Sequence, residues 1–188
     1  LLERPLVDPL AREVERKSLG LTDVLGGPRW LKDLIAVVAL DYTLYLWHVA
    51  SHRVPWLWRL HRIHHADRGL SVATALRFHA AEMAASIPWR LAQVRLIGVS
   101  PRALELWRRL SFALVLFHHA DLRLPARWER RLSRLIATPG LHAIHHSVRP
   151  EERDSNWSSG LTVWDRLHGT LRTQAAEPLE IGVDEGRH

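Results

Sequence analysis

Residues 41–65 read DYTLYLWHVASHRVPWLWRLHRIHH, and this stretch decides what kind of fold the chain can form. Two histidine patterns follow each other in it, H-x3-H and then H-x2-H-H. Residues three or four apart on a helix lie on the same face, so each pattern can direct its imidazoles to one point. The stretch therefore predicts helices that carry a metal centre. Its histidines are His48, His52, His61, His64 and His65.

The H-x2-H-H pattern returns far downstream at His142, His145 and His146. Together with the first stretch this gives eight regularly spaced imidazoles, too many for one ion that keeps a position open for substrate. An adjacent pair, His118 and His119, stands at the end of a predicted helix, and at least one of the two is expected to be a ligand. Eight to ten imidazoles fit two ions with four or five nitrogens each. Because cysteine is absent, only nitrogen and oxygen ligands remain, and imidazole suits iron, zinc, copper and nickel.

Carboxylates near an all-histidine shell are expected to orient the imidazoles by accepting their second N–H. Asp41 is the strongest candidate, because Asp41, Tyr45, His48 and His52 form one continuous stripe on a helix. His79 is a metal ligand, an outer partner or a structural residue. His168 and His188 are read as ordinary histidines. Weaker candidates for an outer role are Glu82, Asp121 and Asp165.

Composition restricts the classes of protein that remain. A chain of 188 residues with 47% hydrophobic residues suits one domain with a sizeable core. The net charge of +6 comes almost entirely from arginine, and there are nine tryptophans. Tryptophan with arginine is typical of the membrane–water interface, so a membrane surface is expected as partner and nucleic acid is not. Since eighteen uninterrupted apolar residues never occur, hydropathy alone predicts no definite membrane span.

The pattern of apolar residues and helix breakers predicts an all-α bundle. We expect a polar lead-in over 1–29, helical or irregular, the main domain over 30–173 and an acidic, frayed tail over 174–188. Pro88 should interrupt or kink its helix, residues 70–80 should be extended and 149–160 should be a polar loop. A basic amphipathic helix over 125–137 should lie in the membrane interface. The predicted helices span 30–52, 55–68, 80–98, 100–119 and 125–137, with a short helix or turn over 161–167.

With its histidine patterns in this order, the chain resembles the fatty acid hydroxylase superfamily, also called the sterol desaturase family, and in particular its bacterial branch. Further parts of the likeness are TALRFHAAE, LFHHAD, HAIHHSVRPEERDSN and WDRLHGT, over about residues 40–170. Two features depart from the family: residues 1–29 are polar where further hydrophobic spans are usual, and RFHAAE lacks the proline common after that histidine.

The resemblance implies a membrane-associated helical bundle whose di-iron centre caps the cytoplasmic side of a bacterial inner membrane. It implies an O2-dependent oxygenase that hydroxylates or desaturates a lipid C–H bond. The two iron ions would be held by the ten clustered histidines, zinc could replace iron in purified protein, and electrons would come from a separate ferredoxin- or cytochrome-like protein.

Two other functions compete with this interpretation. A hydrolase with two zinc ions could use the same histidines, although the sequence lacks carboxylate-rich metal motifs. A non-catalytic metal-binding membrane protein could use them for storage or sensing. Ligands exposed to solvent, without an apolar cavity nearby, would favour that second alternative.

Overall fold

The computed structural model describes residues 2–183, which form ten α-helices and two short 3-10 helices and contain no β-strand. The prediction of an all-α fold is confirmed. The α-helices are α1 (Arg4–Lys17), α2 (Leu21–Leu25), α3 (Arg29–Arg53), α4 (Pro55–His61), α5 (Ala80–Ile97), α6 (Pro101–His119), α7 (Ala126–Leu132), α8 (Pro139–His145), α9 (Pro150–Arg153) and α10 (Val163–Leu167). The 3-10 helices are His64–Ala66 and Thr74–Leu76.

Three long helices, α3, α5 and α6, form the frame that positions the histidines. The first turns of α3 and α6 lie together, since the Ser100 hydroxyl that caps α6 also donates to Asp33 at 2.7 Å. Both helices therefore run the same way and carry histidines in their last turns. Helix α5 runs in the opposite direction and brings Glu82, in its first turn, to the same end. The histidines thus gather at one end of the bundle.

The segment predicted as a polar lead-in belongs to the hydrophobic core. Its first helix, α1, buries Val7, Ala11 and Val14 completely or almost completely, together with core residues of α3, α5 and α6. These three residues are spaced four and three apart and so form one apolar stripe. Because charged residues stand between them, the segment is polar on average and its composition does not reveal the stripe. Arg108 of α6 holds α1 in place by donating to Asp8 at 2.6 Å.

A glycine contact fixes the turn between α1 and α2 against the end of α5. Gly20 and Gly98 both have positive φ angles. A Cβ atom on Gly20 would lie 2.4 Å from the backbone nitrogen of Gly98. Only glycine fits such an approach without a shift of the backbone.

Several predicted boundaries were wrong where tertiary contacts overrode local signals. The helix predicted over 55–68 ends at His61, and residues 74–76 form a 3-10 helix instead of an extended segment. Of the interruption or kink predicted at Pro88, the interruption does not occur, because α5 continues through this residue. The helix predicted over 125–137 covers only Ala126–Leu132. The predicted loop 149–160 contains the short helix α9 and is largely buried from Ser155 to Ser158.

The described part of the predicted frayed tail packs against the histidine end. The Gly182 N–H donates to the carbonyl of His146 at 3.0 Å, and the Val148 N–H donates to Glu180 at 2.9 Å. The end of the predicted tail, residues 184–188 with His188, lies outside the described residues. These backbone hydrogen bonds give residues 180–182 a fixed place that an acidic composition does not predict.

Among the described helices, one is long and apolar enough to cross a membrane. It is α3, whose most apolar window has a mean hydropathy of 1.4 and is 28% buried. The criterion rests on length and composition alone.

Candidate metal centre

The histidines meet in two adjacent groups. The five-histidine group consists of His48, His52, His61, His65 and His145, and the four-histidine group of His64, His119, His142 and His146. Within each group, one nitrogen per ring can be chosen so that all chosen atoms lie within 4.8 Å of one another. These numbers match the expectation of two sites with four or five nitrogens each. The rings of His65 and His146 stack at 4.1 Å and join the two groups.

Each H-x2-H-H pattern is divided between the two groups. The first gives His61 and His65 to the five-histidine group and His64 to the other. The second gives His145 to the five-histidine group and its two other histidines to the four-histidine group. Adjacent residues on a helix point about 100° apart, so an H-H pair sends its two rings to different places. The repeated motif therefore serves both groups, with two rings in one and one in the other.

Helix ends contribute to the electrostatics of the site. Helices α3, α4, α6 and α8 each carry at least one histidine in their last turn. The C-terminal end of a helix bears a partial negative charge of about half an elementary charge, which stabilises a cation nearby. Four such ends favour positive charge at this point of the fold even though the imidazoles themselves are neutral ligands.

Backbone carbonyls fix the tautomer of four of the rings. The Nδ1–H of His48 donates to Trp157 at 2.7 Å, and that of His145 donates to Ser155 at 2.8 Å. In the four-histidine group, His64 donates to Thr74 at 3.1 Å and His119 to Val115 at 2.8 Å. A carbonyl can only accept, so the proton of each ring must sit on Nδ1. In a neutral ring this leaves Nε2 with a lone pair.

These lone pairs face each other at short range. Nε2 of His48 lies 3.1 Å from Nε2 of His145, and Nε2 of His64 lies 3.0 Å from that of His119. Two lone pairs repel unless a cation lies between them. Neighbouring nitrogens in an octahedral site with metal–nitrogen bonds of about 2.1 Å are about 3.0 Å apart. The donor set of both groups thus fits a bound metal ion.

Burial keeps the imidazoles neutral, as ligation requires. Burial, and then the neighbouring imidazoles, hold the pKa of His145 and of His146 well below the ordinary value of 6.5. The same two causes lower the pKa of His65. Several buried ring nitrogens have no hydrogen-bond partner among the described residues, including both nitrogens of His52 and of His65. Such unpaired nitrogens are costly in a folded protein, and coordination would satisfy them.

A loop between α9 and α10 supplies two of the carbonyls. Asp165 shapes this loop by accepting from the N–H groups of Trp157 at 3.0 Å and Ser158 at 2.9 Å. Asn156 has a φ angle of +52°, a conformation that asparagine tolerates better than most residues. Its side-chain amide donates to Leu141 of α8 at 3.0 Å. The loop is thereby tied to α8, the helix that carries His142 and His145.

The predicted role of Asp41 as the acceptor of an imidazole N–H is wrong. Its carboxylate accepts from the N–H of Leu161 at 3.0 Å and from the indole of Trp164 at 2.8 Å. A Cβ atom on Gly160 would overlap the Asp41 carboxylate, so the contact requires glycine there. Asp41 holds the chain that follows the loop and acts on the histidines only through the backbone. Tyr45, on the same stripe, is buried and its hydroxyl lies 3.2 Å from that of Thr170.

One carboxylate does contact a clustered histidine, and it is Glu82. Its Oε1 lies 2.8 Å from Nδ1 of His61, and both side chains are buried. The sequence ranked Glu82 below Asp41, because nothing in the spacing of the two chain segments shows which carboxylate reaches a ring. The carboxylate of Asp154, which the sequence did not single out, lies farther away and forms no hydrogen bond: its Oδ1 is 3.7 Å from Nδ1 of His52.

The remaining candidates lie beside or away from the two groups. His118 is buried, and its ring is 4.1 Å from that of His142, but it belongs to neither group. His79 is exposed and caps α5 by accepting from Ala81 at 3.0 Å. Asp121 and His168 are exposed, and His168 lies against Tyr42 with its Nε2 3.2 Å from the hydroxyl. Sequence reasoning missed the carbonyls of Thr74, Val115, Ser155 and Trp157, since any residue supplies a carbonyl and no residue type marks it.

Comparison with known proteins adds independent information. The sequence profile of the fatty acid hydroxylase family matches residues 34–170. A cholesterol 25-hydroxylase-like protein of Danio rerio is 32% identical, over 80% of this chain and 60% of the relative. Ornithine lipid hydroxylase OlsE of Rhizobium tropici is 30% identical, over 83% of this chain and 46% of the relative. Alkylglycerol monooxygenase of Danio rerio is 24% identical, over 75% and 30%. The chain thus spans between 30% and 60% of the length of these relatives, and no solved structure matches it.

Proposed function

The chain belongs to the fatty acid hydroxylase family, and from this premise we propose that it is a di-iron lipid oxygenase. It would use O2 to hydroxylate or desaturate an unactivated C–H bond of a lipid. The observation that carries the proposal is the set of Nε2 lone pairs that face each other at 3.0–3.1 Å in both histidine groups. The names of the matching relatives support the reaction class: a cholesterol 25-hydroxylase-like protein, an ornithine lipid hydroxylase and an alkylglycerol monooxygenase.

The two groups would each hold one iron ion, with His118 beside the four-histidine group as a further candidate ligand. When bound, the two irons supply the reduction of O2 and the oxidation of the C–H bond. The chain's own residues prepare that site. The carbonyls of Trp157, Ser155, Thr74 and Val115 fix the ring orientations, and burial excludes water from the imidazoles.

We propose that the protein is anchored in a membrane, with the histidine end on the aqueous side. Large apolar side chains stand exposed on α2 and at the start of α3, at the end of the bundle away from the histidines. They are Leu21, Val24, Leu25, Trp30 and Leu34, which are 48% to 84% exposed. Exposed large apolar side chains on two consecutive helices favour membrane contact. Arg59, Arg62, Arg149 and Arg153 lie at the histidine end, which by the positive-inside tendency would face the cytoplasm of a bacterial inner membrane.

The burial of the histidines favours catalysis over storage. Eight of the nine grouped residues are buried, and the side chain of the ninth, His52, is only 1% exposed. A storage or sensing site needs ions that exchange readily with solvent, and exposed ligands were the feature expected for it. A non-catalytic metal-binding protein remains the alternative that the experiments below separate from the enzyme.

Glu82 gives a first prediction. Glu82→Gln keeps an acceptor for His61 but removes the negative charge that strengthens the imidazole as a ligand. Loss of an outer partner costs about 10–100-fold in metal affinity, and we expect a loss near the lower end of that range. Iron occupancy after dialysis against a graded series of chelator concentrations measures it.

The matched control for Glu82 is Glu105→Gln. Glu105 pairs with Arg109 at 2.8 Å on the exposed surface of α6, far from the histidines. This variant should keep wild-type iron occupancy. If the two variants lose iron equally, Glu82 has no particular role at the metal.

The proposed function is tested most directly by lipid profiling of cells that contain or lack the gene, using mass spectrometry. We expect one lipid class to gain an oxygen atom, or to lose two hydrogens, only where the gene is present. Cells that carry a His145→Ala version should match those without the gene. Identical lipid profiles in all three, with the protein present in the membrane, would contradict the proposed oxygenase.

A further inference from the structure

A basic groove of about 720 Å³ lies next to the five-histidine group. Its lining residues come from α4, α9 and the segments beside them. Four arginines and one glutamate, Glu151, are its charged side chains. The arginines are Arg59, Arg62, Arg149 and Arg153.

The groove reaches the histidines through one aromatic ring. Trp58 lines the groove, and its ring centre is 5.0 Å from that of His52 and 5.5 Å from that of His65. The guanidinium of Arg153 lies over the same indole at 4.6 Å. A molecule bound in the groove would therefore be separated from the five-histidine group by a single ring.

Two of the four arginines, Arg59 and Arg62, pair with no carboxylate of residues 2–183, whereas the other two do. Arg149 and Arg153 lie 3.7 Å from Glu152 and 3.8 Å from Asp154, respectively. Arg59 and Arg62 form no ion pair with any residue in the range 2–183. Unpaired arginines on the rim of a groove favour association with a surface of opposite charge.

We propose that this groove is the docking surface for a small acidic electron-transfer protein, which passes electrons to the metal centre past Trp58. The proposal rests on the proposed oxygenase function, because insertion of one oxygen atom of O2 into a C–H bond takes two electrons and two protons and releases the other atom as water. The donor is oxidised by one electron in each of two encounters. Electrons, unlike a lipid chain, need no open passage beyond the indole.

The shape of the groove favours a protein over a lipid headgroup. Its arginines lie on or directly beside two helices, α4 and α9, and the space between them is much larger than one phosphate group. A single phosphate is held best by arginines that converge on it with paired hydrogen bonds. Arginines spread along both sides of a groove instead match the distributed charge of an acidic protein surface.

The test uses the full-length, detergent-purified, iron-loaded protein and two acidic probes, a [2Fe–2S] ferredoxin and the haem domain of cytochrome b5. Wild-type protein should bind at least one probe at about 20 mM NaCl, and at least about tenfold more weakly at 200 mM. Arg59→Glu with Arg62→Glu should weaken binding at low salt at least about tenfold. Arg12→Glu with Arg16→Glu, the same change of charge on the exposed side of α1, should stay within about twofold.

O2 consumption distinguishes a failure of the docking proposal from a failure of the proposed oxygenase function. The Arg59/Arg62 variant should lose most O2 consumption driven by the bound probe but keep wild-type consumption driven by a reduced viologen, a small dye that needs no docking. Wild-type protein inactive with both reductants, with bound iron, would contradict the proposed function, while the binding assay would still decide the docking surface. If the reversed charges misfold the protein, Arg59→Gln with Arg62→Gln replaces them and should show the same order of effects.

The docking proposal is overturned if neither probe binds the wild-type protein, or if the groove and α1 variants bind the probes equally. It is also overturned if the groove variant loses binding only to phosphatidylglycerol vesicles, because the arginines would then serve a lipid surface.

Discussion

His145→Ala and His64→Ala are each expected to reduce lipid oxidation to background, a loss of more than about 100-fold. Removal of an outer partner already costs about 10–100-fold, and these two rings belong to the candidate ligand sets themselves. Each ring is fixed by a carbonyl on one side, Ser155 for His145 and Thr74 for His64, and points its Nε2 at another imidazole. Each substitution should remove one candidate ligand nitrogen from its group, and the remaining rings cannot replace it.

Metal content makes this prediction sharper. The two histidines lie in different groups, so each variant should lose about one of two iron ions, as measured by elemental analysis of folded protein. His168→Ala is the matched control, because His168 is exposed and lies against Tyr42 outside both groups. It should keep most of the activity and both ions. An inactive His168→Ala, or an active His145→Ala with full iron, would show that the assignment of ligands is wrong.

Protein that carries zinc at the histidines is expected to be inactive. The shell offers only nitrogen, and zinc exceeds ferrous iron in affinity for such ligands when both are present. Zinc has no redox chemistry, so it cannot support the reduction of O2. Removal of zinc by a chelator, followed by ferrous iron under anaerobic conditions, should raise activity from background to a level that follows iron content.

The measurement is product formation per chain across samples with graded iron and zinc contents. A manganese-loaded sample controls for the general effect of filling the site on stability, which thermal unfolding reports. Activity that rises with zinc content would contradict the oxygenase and would favour the hydrolase with two zinc ions. Equal activity in metal-free and iron-loaded protein would show that the reaction does not require the metal.

Local sequence signals predicted the long helices well and their connections poorly. Ser100 and Pro101 begin α6 as expected, with the serine hydroxyl accepting from the N–H of Ala103. The segments after α4 and α7 failed because their conformation depends on distant residues. Thr74, for example, lies in a 3-10 helix. Its carbonyl accepts from His64, and its hydroxyl donates to Asp67 at 2.8 Å. No pattern within residues 70–80 contains that information.

For the residues around the candidate ligands, too, the sequence predicted the local spacing and missed the contacts between distant segments. The stripe of Asp41, Tyr45, His48 and His52 exists on α3 as predicted, and its two histidines do reach the site. Helical spacing could not show that the Asp41 carboxylate accepts hydrogen bonds from Leu161 and Trp164. It also could not show that Glu82, from an antiparallel helix, is the carboxylate at His61.

The sequence by itself determined that the chain forms helices, that its histidines converge and that its family is that of the fatty acid hydroxylases. These follow from spacing and residue type, which are local properties of the chain. The tertiary structure alone decided how each H-x2-H-H motif divides between the two groups and which atoms hold the rings in place. The physical reason is that most of the holding atoms are backbone carbonyls, which every residue carries, so only the path of the chain in three dimensions selects them.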